Sequence, residues 1–153
     1  MTVPPDSRHI LLLEDDPDEF ESAVRALRDA GLLNPIVHCT DGGDALAYLK
    51  HTGEYADPQQ SPRPAVVLID ASMPRLDGLS VLAEMQRTPE LADIPVIALT
   101  SGEDEAELER YSERGASAVI RKPMDLDRFL EALRRLENYW FEVVLVPRDA
   151  PTR

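Results

Sequence analysis

Glu14, Asp15, Asp70, Thr100, Ser101 and Lys122 all stand at the ends of apolar runs. Glu14 and Asp15 follow an Ile-Leu run, Asp70 closes a Val-Leu-Ile run, Thr100 and Ser101 close another, and Lys122 follows a fourth just before Pro123. If these runs are parallel strands, the polar residues meet in the crevice beyond the strand C-termini, the usual functional position of an open α/β sheet. Carboxylates converging there repel one another unless a cation neutralises them. Hard oxygen donors without histidine or thiol suit Mg²⁺, which keeps several waters and bridges readily to phosphate. A carboxylate beside such an ion can attack phosphorus while an ammonium and a hydroxyl hold the phosphoryl oxygens. Asp70, the acid at the end of the central run, is the expected nucleophile, Lys122 the countercharge and Thr100 the hydroxyl donor.

Each residue also has a plainer reading. Asp16, Pro17 and Glu19 have the spacing of a capping box with proline at the first helical position, which makes Asp16 a helix cap rather than a ligand. Ser101 and Asp104 can form a second cap. Thr100 alone would be an ordinary strand residue and Lys122 alone a surface one, so the chemical reading rests on the set. Asp77 and Gly78 have the composition of a turn.

The elements that must position this set alternate along the chain. Apolar runs at 9–14, 35–39, 65–70, 95–100 and 116–120 read as strands. Amphipathic stretches at 17–31, 42–53, 79–88, 103–115 and 125–141 read as helices, with Phe20, Ala23, Val24 and Leu27 on one face of the first. Strands apolar on both faces, each followed by a helix, mean a doubly wound five-stranded parallel sheet. A dinucleotide site is a weak reading on local grounds. The first strand enters its helix through Glu-Asp-Asp-Pro-Asp-Glu instead of a glycine-rich turn, and those acids would repel a pyrophosphate. Residues 51–64, rich in proline and glutamine, read as a mobile surface loop.

Sixteen basic and twenty-nine acidic residues leave a formal charge of -13, a poor match for nucleic acid or an anionic membrane. One cysteine, Cys39, precludes an internal disulfide and a zinc framework, and its apolar surroundings predict burial. No run approaches membrane-spanning length, and residues 1–9 carry Pro4, Pro5 and Asp6 where a secretory signal would be apolar, so the expected location is the cytoplasm.

These motifs together resemble the receiver domains of two-component response regulators, over almost the whole chain. Leu-Leu-Leu-Glu-Asp-Asp-Pro-Asp-Glu resembles the acidic pair, Leu-Ile-Asp-Ala-Ser-Met-Pro-Arg-Leu-Asp-Gly the phospho-acceptor segment, Val-Ile-Ala-Leu-Thr-Ser-Gly the hydroxyl segment and Val-Ile-Arg-Lys-Pro the lysine segment. The resemblance implies a flavodoxin-like (β/α)5 fold with strand order 2-1-3-4-5. It implies phosphorylation of Asp70 by a sensor histidine kinase, and Mg²⁺ held by Glu14, Asp15, Asp70 and the backbone carbonyl of Ser72. Within the family the chain is most similar to single-domain regulators paired with bacterial phytochromes. The features that carry this are the long loop before the third strand, Arg75 after Met-Pro, and the Leu-Glu-Asn-Tyr-Trp-Phe end of the last helix. That implies a bacteriophytochrome kinase as partner and a homodimer formed through the last helix and the aromatic residues Tyr139, Trp140 and Phe141. Residues 8–141 are expected to form the receiver and 142–153 a strand-like, then disordered, extension.

The chain departs from the pattern at Val119, where the family usually has an aromatic residue that reorients on phosphorylation. Ala71 and Ser72 also follow the acceptor where larger residues are common. Val119 leaves a second reading open, a receiver-fold binding or dimerisation module that works without phosphorylation. An aspartyl phosphatase is weaker, because Ser72 occupies the position of its usual second acid. No turnover of a small substrate is expected, only self-phosphorylation and autodephosphorylation.

Overall fold

In the computed structural model, residues 9–29, 34–71, 77–100, 105–121 and 131 are described. Strands β1 (Ile10–Leu13), β2 (Ile36–Cys39), β3 (Val66–Asp70), β4 (Val96–Thr100) and β5 (Ala118–Arg121) alternate with helices α1 (Pro17–Asp29), α2 (Gly42–Lys50), α3 (Asp77–Arg87) and α4 (Glu105–Glu113). All strand pairs are parallel and their order is β2-β1-β3-β4-β5. This is the flavodoxin-like sheet that the alternation of runs and the family resemblance imply.

Burial follows from that order. Every residue of β1, β3 and β4 is buried, whereas the edge strands β2 and β5 are only partly so. Alternate residues feed two cores. Leu11, Leu13, Val67, Ile69, Val96 and Ala98 join Cys39, Tyr48, Leu82, Met85 and Tyr111 on one face. Ile10, Leu12, Leu68, Ile97 and Leu99 meet Leu27 on the other, with Phe20, Ala23 and Val24 of α1 packed beside them. Each such aliphatic side chain contributes roughly 1.5–3 kcal/mol on burial. The central strands therefore hold the site end most firmly.

Helix α1 starts at Pro17 with Asp16 as its cap, as the sequence predicts. Asp16 Oδ1 accepts the Asp18 N–H at 2.9 Å, and the Asp16 carbonyl accepts the Phe20 N–H at 2.9 Å. The Asp16 N–H donates to Glu14 Oε2 at 3.1 Å, so the acid before the cap is itself part of the turn. At the other end Arg28 Nη1 donates to the Asn34 carbonyl at 3.0 Å.

Two expectations change. Asp77 and Gly78 are the first residues of α3, not a turn. Glycine is required at 78 by a close approach, since a Cβ there would lie 2.0 Å from the Tyr111 hydroxyl and 2.6 Å from Ile69 Cγ2. The loop after α2 is at the surface, as expected, but it is stitched down. His51 closes α2 in the left-handed region (φ 58), and its Nε2 lies 2.8 Å from the Ser61 carbonyl. Tyr48 Oη donates to the Pro62 carbonyl at 2.7 Å, and Tyr55, in a 3₁₀ turn at Gly53–Tyr55, donates to Asp44 Oδ1 at 2.7 Å. The prolines and glycine of the sequence suggested freedom; side-chain hydrogen bonds tie the loop to α2.

Ser72, Ser101, Asp104, Lys122, Pro123, the last helix except Glu131, Tyr139 to Phe141 and the extension at 142–153 lie outside the described residues. Among the described residues no helix is long and apolar enough to cross a membrane.

Candidate functional site

The parallel register brings the C-terminal ends of β1, β3 and β4 to one edge of the sheet. Leu13 pairs with Ile69, and Asp70 with Leu99. Glu14 therefore leaves β1 beside Asp70 at the end of β3, and Thr100 ends β4 one strand further along. One carboxylate oxygen from each of Glu14, Asp15 and Asp70 lies within 4.8 Å of the other two. The three acids predicted to converge do converge.

Their burial is unequal. Glu14 is 2% exposed and Asp70 4%, while Asp15 is exposed. A cation approaching from solvent thus meets Asp15 first and the two buried acids behind it. The backbone holds this arrangement from several directions. The Glu14 N–H donates to the Cys39 carbonyl at 2.9 Å and the Ala71 N–H to the Leu99 carbonyl at 2.6 Å, each extending the sheet one residue past the strand. His38 Nε2 lies 2.8 Å from the Glu14 carbonyl.

The donor chemistry fits a divalent metal. Three anionic oxygens close together, two of them almost removed from water, are stabilised by a doubly charged ion far more than by protons shared among them. No histidine or cysteine belongs to the cluster, so a hard, oxygen-seeking ion matches it better than zinc.

Thr100 is fully buried at the end of β4, and Arg121, which precedes Lys122 in the chain, closes β5 opposite it. Val119 is half-buried and packs against the core that contains Tyr111. Tyr111, on α4, is only 3% exposed. Its hydroxyl reaches the first turn of α3 at Gly78, next to Ile69, the neighbour of Asp70. An aromatic residue is therefore present in this region, supplied by α4 rather than β5. The sequence offers Tyr111 as an aromatic on another helix with no obvious claim to the role at Val119. Its burial was not legible, because a tyrosine in a strongly charged helix carries no local sign of it.

A second group of polar residues follows β2. Cys39 is fully buried, as expected, and its thiol is pushed up to about 12 by burial first and then by the charge and hydrogen bond of Asp44. Burial likewise raises Tyr48 to about 12. The hydrogen bond to Asp44 raises Tyr55 further.

Fold and site together define a phosphorelay switch. Residues 10–134 match the family model of the response regulator receiver domain, and the chain belongs to that family. It is 31% identical to the response regulator Rcp1 of Synechocystis over 90% of its own length and 92% of that protein. The Mn²⁺-bound form of Rcp1 superposes with a TM-score of 0.66, covering 91% of this chain and 98% of that one. The bacteriophytochrome response regulator AtBRR is 38% identical, with a TM-score of 0.77 and coverage of 92% and 98%. RPA3017, a regulator in red light signalling of R. palustris, is 27% identical, with a TM-score of 0.74 and coverage of 91% and 97%. The chain is thus related along its length to phytochrome-associated regulators. Receiver domains catalyse their own phosphorylation and dephosphorylation rather than turnover of a small molecule, and they act downstream of a sensor histidine kinase.

Proposed function

We propose that Asp70 accepts a phosphoryl group from a phosphohistidine of a bacteriophytochrome-type kinase, and that the acidic cluster holds Mg²⁺ while it does so. The observation that carries this reading is the convergence of Glu14, Asp15 and Asp70 within 4.8 Å at the ends of the two central strands. That the related regulator Rcp1 has a Mn²⁺-bound form supports a divalent ion in this family member too.

An Asp70 carboxylate oxygen forms the new bond to phosphorus as the bond from phosphorus to the imidazole nitrogen breaks, and that nitrogen keeps the electron pair. When bound, Mg²⁺ would supply positive charge that offsets the repulsion met by an incoming phosphoryl group. Glu14, Asp15, Asp70 and the Ser72 carbonyl would hold it. Thr100 donates its hydroxyl to a phosphoryl oxygen, and the Lys122 ammonium balances another. Hydrolysis reverses the modification when water attacks phosphorus and phosphate leaves, restoring the Asp70 carboxylate. The receiver unit spans residues 8–141, with 142–153 as an extension. The signal passes through altered protein contacts, including a homodimer built on the last helix and Tyr139, Trp140 and Phe141. A net charge of -13 agrees with a cytoplasmic protein whose partners are other proteins.

The test treats wild type and Asp70→Asn with a small phosphodonor, with and without Mg²⁺, and reads intact mass and light scattering after size exclusion. A Mg²⁺-dependent phosphoryl adduct on wild type alone is the expected result. A dimer that forms no adduct from either the phosphodonor or a cognate kinase would sink the reading in favour of a phosphorylation-independent module.

A further inference from the structure

The turn that carries Glu14 and Asp15 is braced by a side chain from the neighbouring edge strand. His38 of β2 places Nε2 2.8 Å from the Glu14 carbonyl oxygen, twenty-four residues away in sequence. A carbonyl only accepts, so Nε2 is the donor and carries the proton of this bond. The imidazole is held in place from its other side, since the Phe20 ring of α1 stacks on it with centroids 3.7 Å apart and planes 11° from parallel. The bond from the His38 side chain is additional to the backbone pairing of the sheet. The β1–β2 ladder is complete from Ile10 to Leu13, and the Glu14 N–H already donates to Cys39.

The consequence is geometric. The peptide joining Glu14 to Asp15 is planar, so a carbonyl turned toward β2 forces the Asp15 N–H to point the opposite way. Glu14 is then held at its N–H, its carbonyl and its Oε2, which accepts from Asp16. Asp15 is the exposed member of the cluster and has no burial to orient it. Its direction depends on that peptide plane. Without the His38 donor the plane can rotate, the Glu14 carbonyl seeks water, and the carboxylates lose their common focus.

We propose that His38 is a positioning residue for the metal-binding turn, fixing the Glu14–Asp15 peptide so that both acids face the cation. This rests on the reading of the cluster as the divalent-metal site of a phospho-acceptor. Outer hydrogen bonds of this kind hold metal ligands in direction, and their loss costs about tenfold or more in affinity.

Two substitutions separate the donor from the ring. His38→Phe keeps an aromatic face against Phe20 and removes the N–H. His38→Gln keeps an N–H of similar reach and removes the ring. Mg²⁺ binding is measured by titration calorimetry without phosphodonor, with circular dichroism confirming that all three proteins are folded. The expected result is a dissociation constant about tenfold weaker for His38→Phe and within about twofold of wild type for His38→Gln. At saturating Mg²⁺ the phosphorylation rate of His38→Phe should return to the wild-type value, the split expected of a residue that acts through the metal. Equal affinity in wild type and His38→Phe would overturn the proposal, and so would His38→Gln binding as weakly as His38→Phe. Because the binding arm uses no phosphodonor, wild type that binds Mg²⁺ without forming an adduct would defeat the phospho-acceptor reading alone. Wild type that binds no Mg²⁺ would overturn both.

Discussion

Two groups of acids sit at the same end of the sheet, and they are used in opposite ways. After β2, Asp41 Oδ1 accepts the Asp44 N–H at 2.8 Å and caps α2, while Asp44 Oδ1 accepts the Tyr55 hydroxyl at 2.7 Å. Those carboxylates spend their lone pairs on donors that the protein itself supplies. After β1 and β3, one oxygen from each of Glu14, Asp15 and Asp70 faces the other two within 4.8 Å, an arrangement of like charges that a bound cation stabilises. An acidic residue near a strand end is therefore not evidence of chemistry by itself. What distinguishes the group after β1 and β3 is that three carboxylates converge on one point, even though Glu14 Oε2 also accepts the Asp16 N–H.

The sharpest way to break this comparison is to neutralise one acid from each group. Asp15→Asn is expected to raise the Mg²⁺ concentration for half-maximal phosphorylation by at least about tenfold. Asp44→Asn should leave that concentration unchanged. If both variants shift it equally, the two groups are not functionally distinct.

Alkaline pH probes the second group. Cys39 and Tyr48 are neutral when protonated, and the fold raises both to about 12, from 9.0 and 10.0. The folded chain holds these protons more tightly than the unfolded chain, so their stabilisation is complete below pH 9 and is lost as pH rises toward 12. Urea midpoints should fall over that window. They should fall less steeply in Asp44→Asn, because the Asp44 charge and hydrogen bond add to the burial that raises Cys39. A flat midpoint from pH 9 to pH 11 would refute this.

The smallest effect is expected from Tyr55→Phe, which removes one hydrogen bond to Asp44 at a cost of about 1 kcal/mol. Thermal melting should register that loss while phosphorylation stays at the wild-type rate. A changed rate would mean that the clamped loop after α2 communicates with Asp70.

Much of the site was legible in the sequence for a local reason. Strand ends are marked by the switch from apolar to polar residues, so Glu14, Asp15, Asp70 and Thr100 could be assigned to one edge once five parallel strands were recognised. Asp16 was legible as a cap for the same reason, since capping depends on residues two or three positions away. Gly78 was misread because its requirement comes from Tyr111, thirty-three residues later, and not from the conformation of its own turn.

By itself, then, the sequence determined the alternation of strands and helices, the buried character of the central strands and the acids that end them. All of these are written in periodicity and near-neighbour chemistry. Tertiary structure alone decided that His38 reaches the Glu14 carbonyl, that Tyr111 lies against α3, and that the loop after α2 is tied to Tyr48, His51 and Asp44. Those contacts depend on strand order, register and side-chain reach between elements far apart in the chain, and a hydrogen bond across a sheet leaves no mark on the local pattern of either partner.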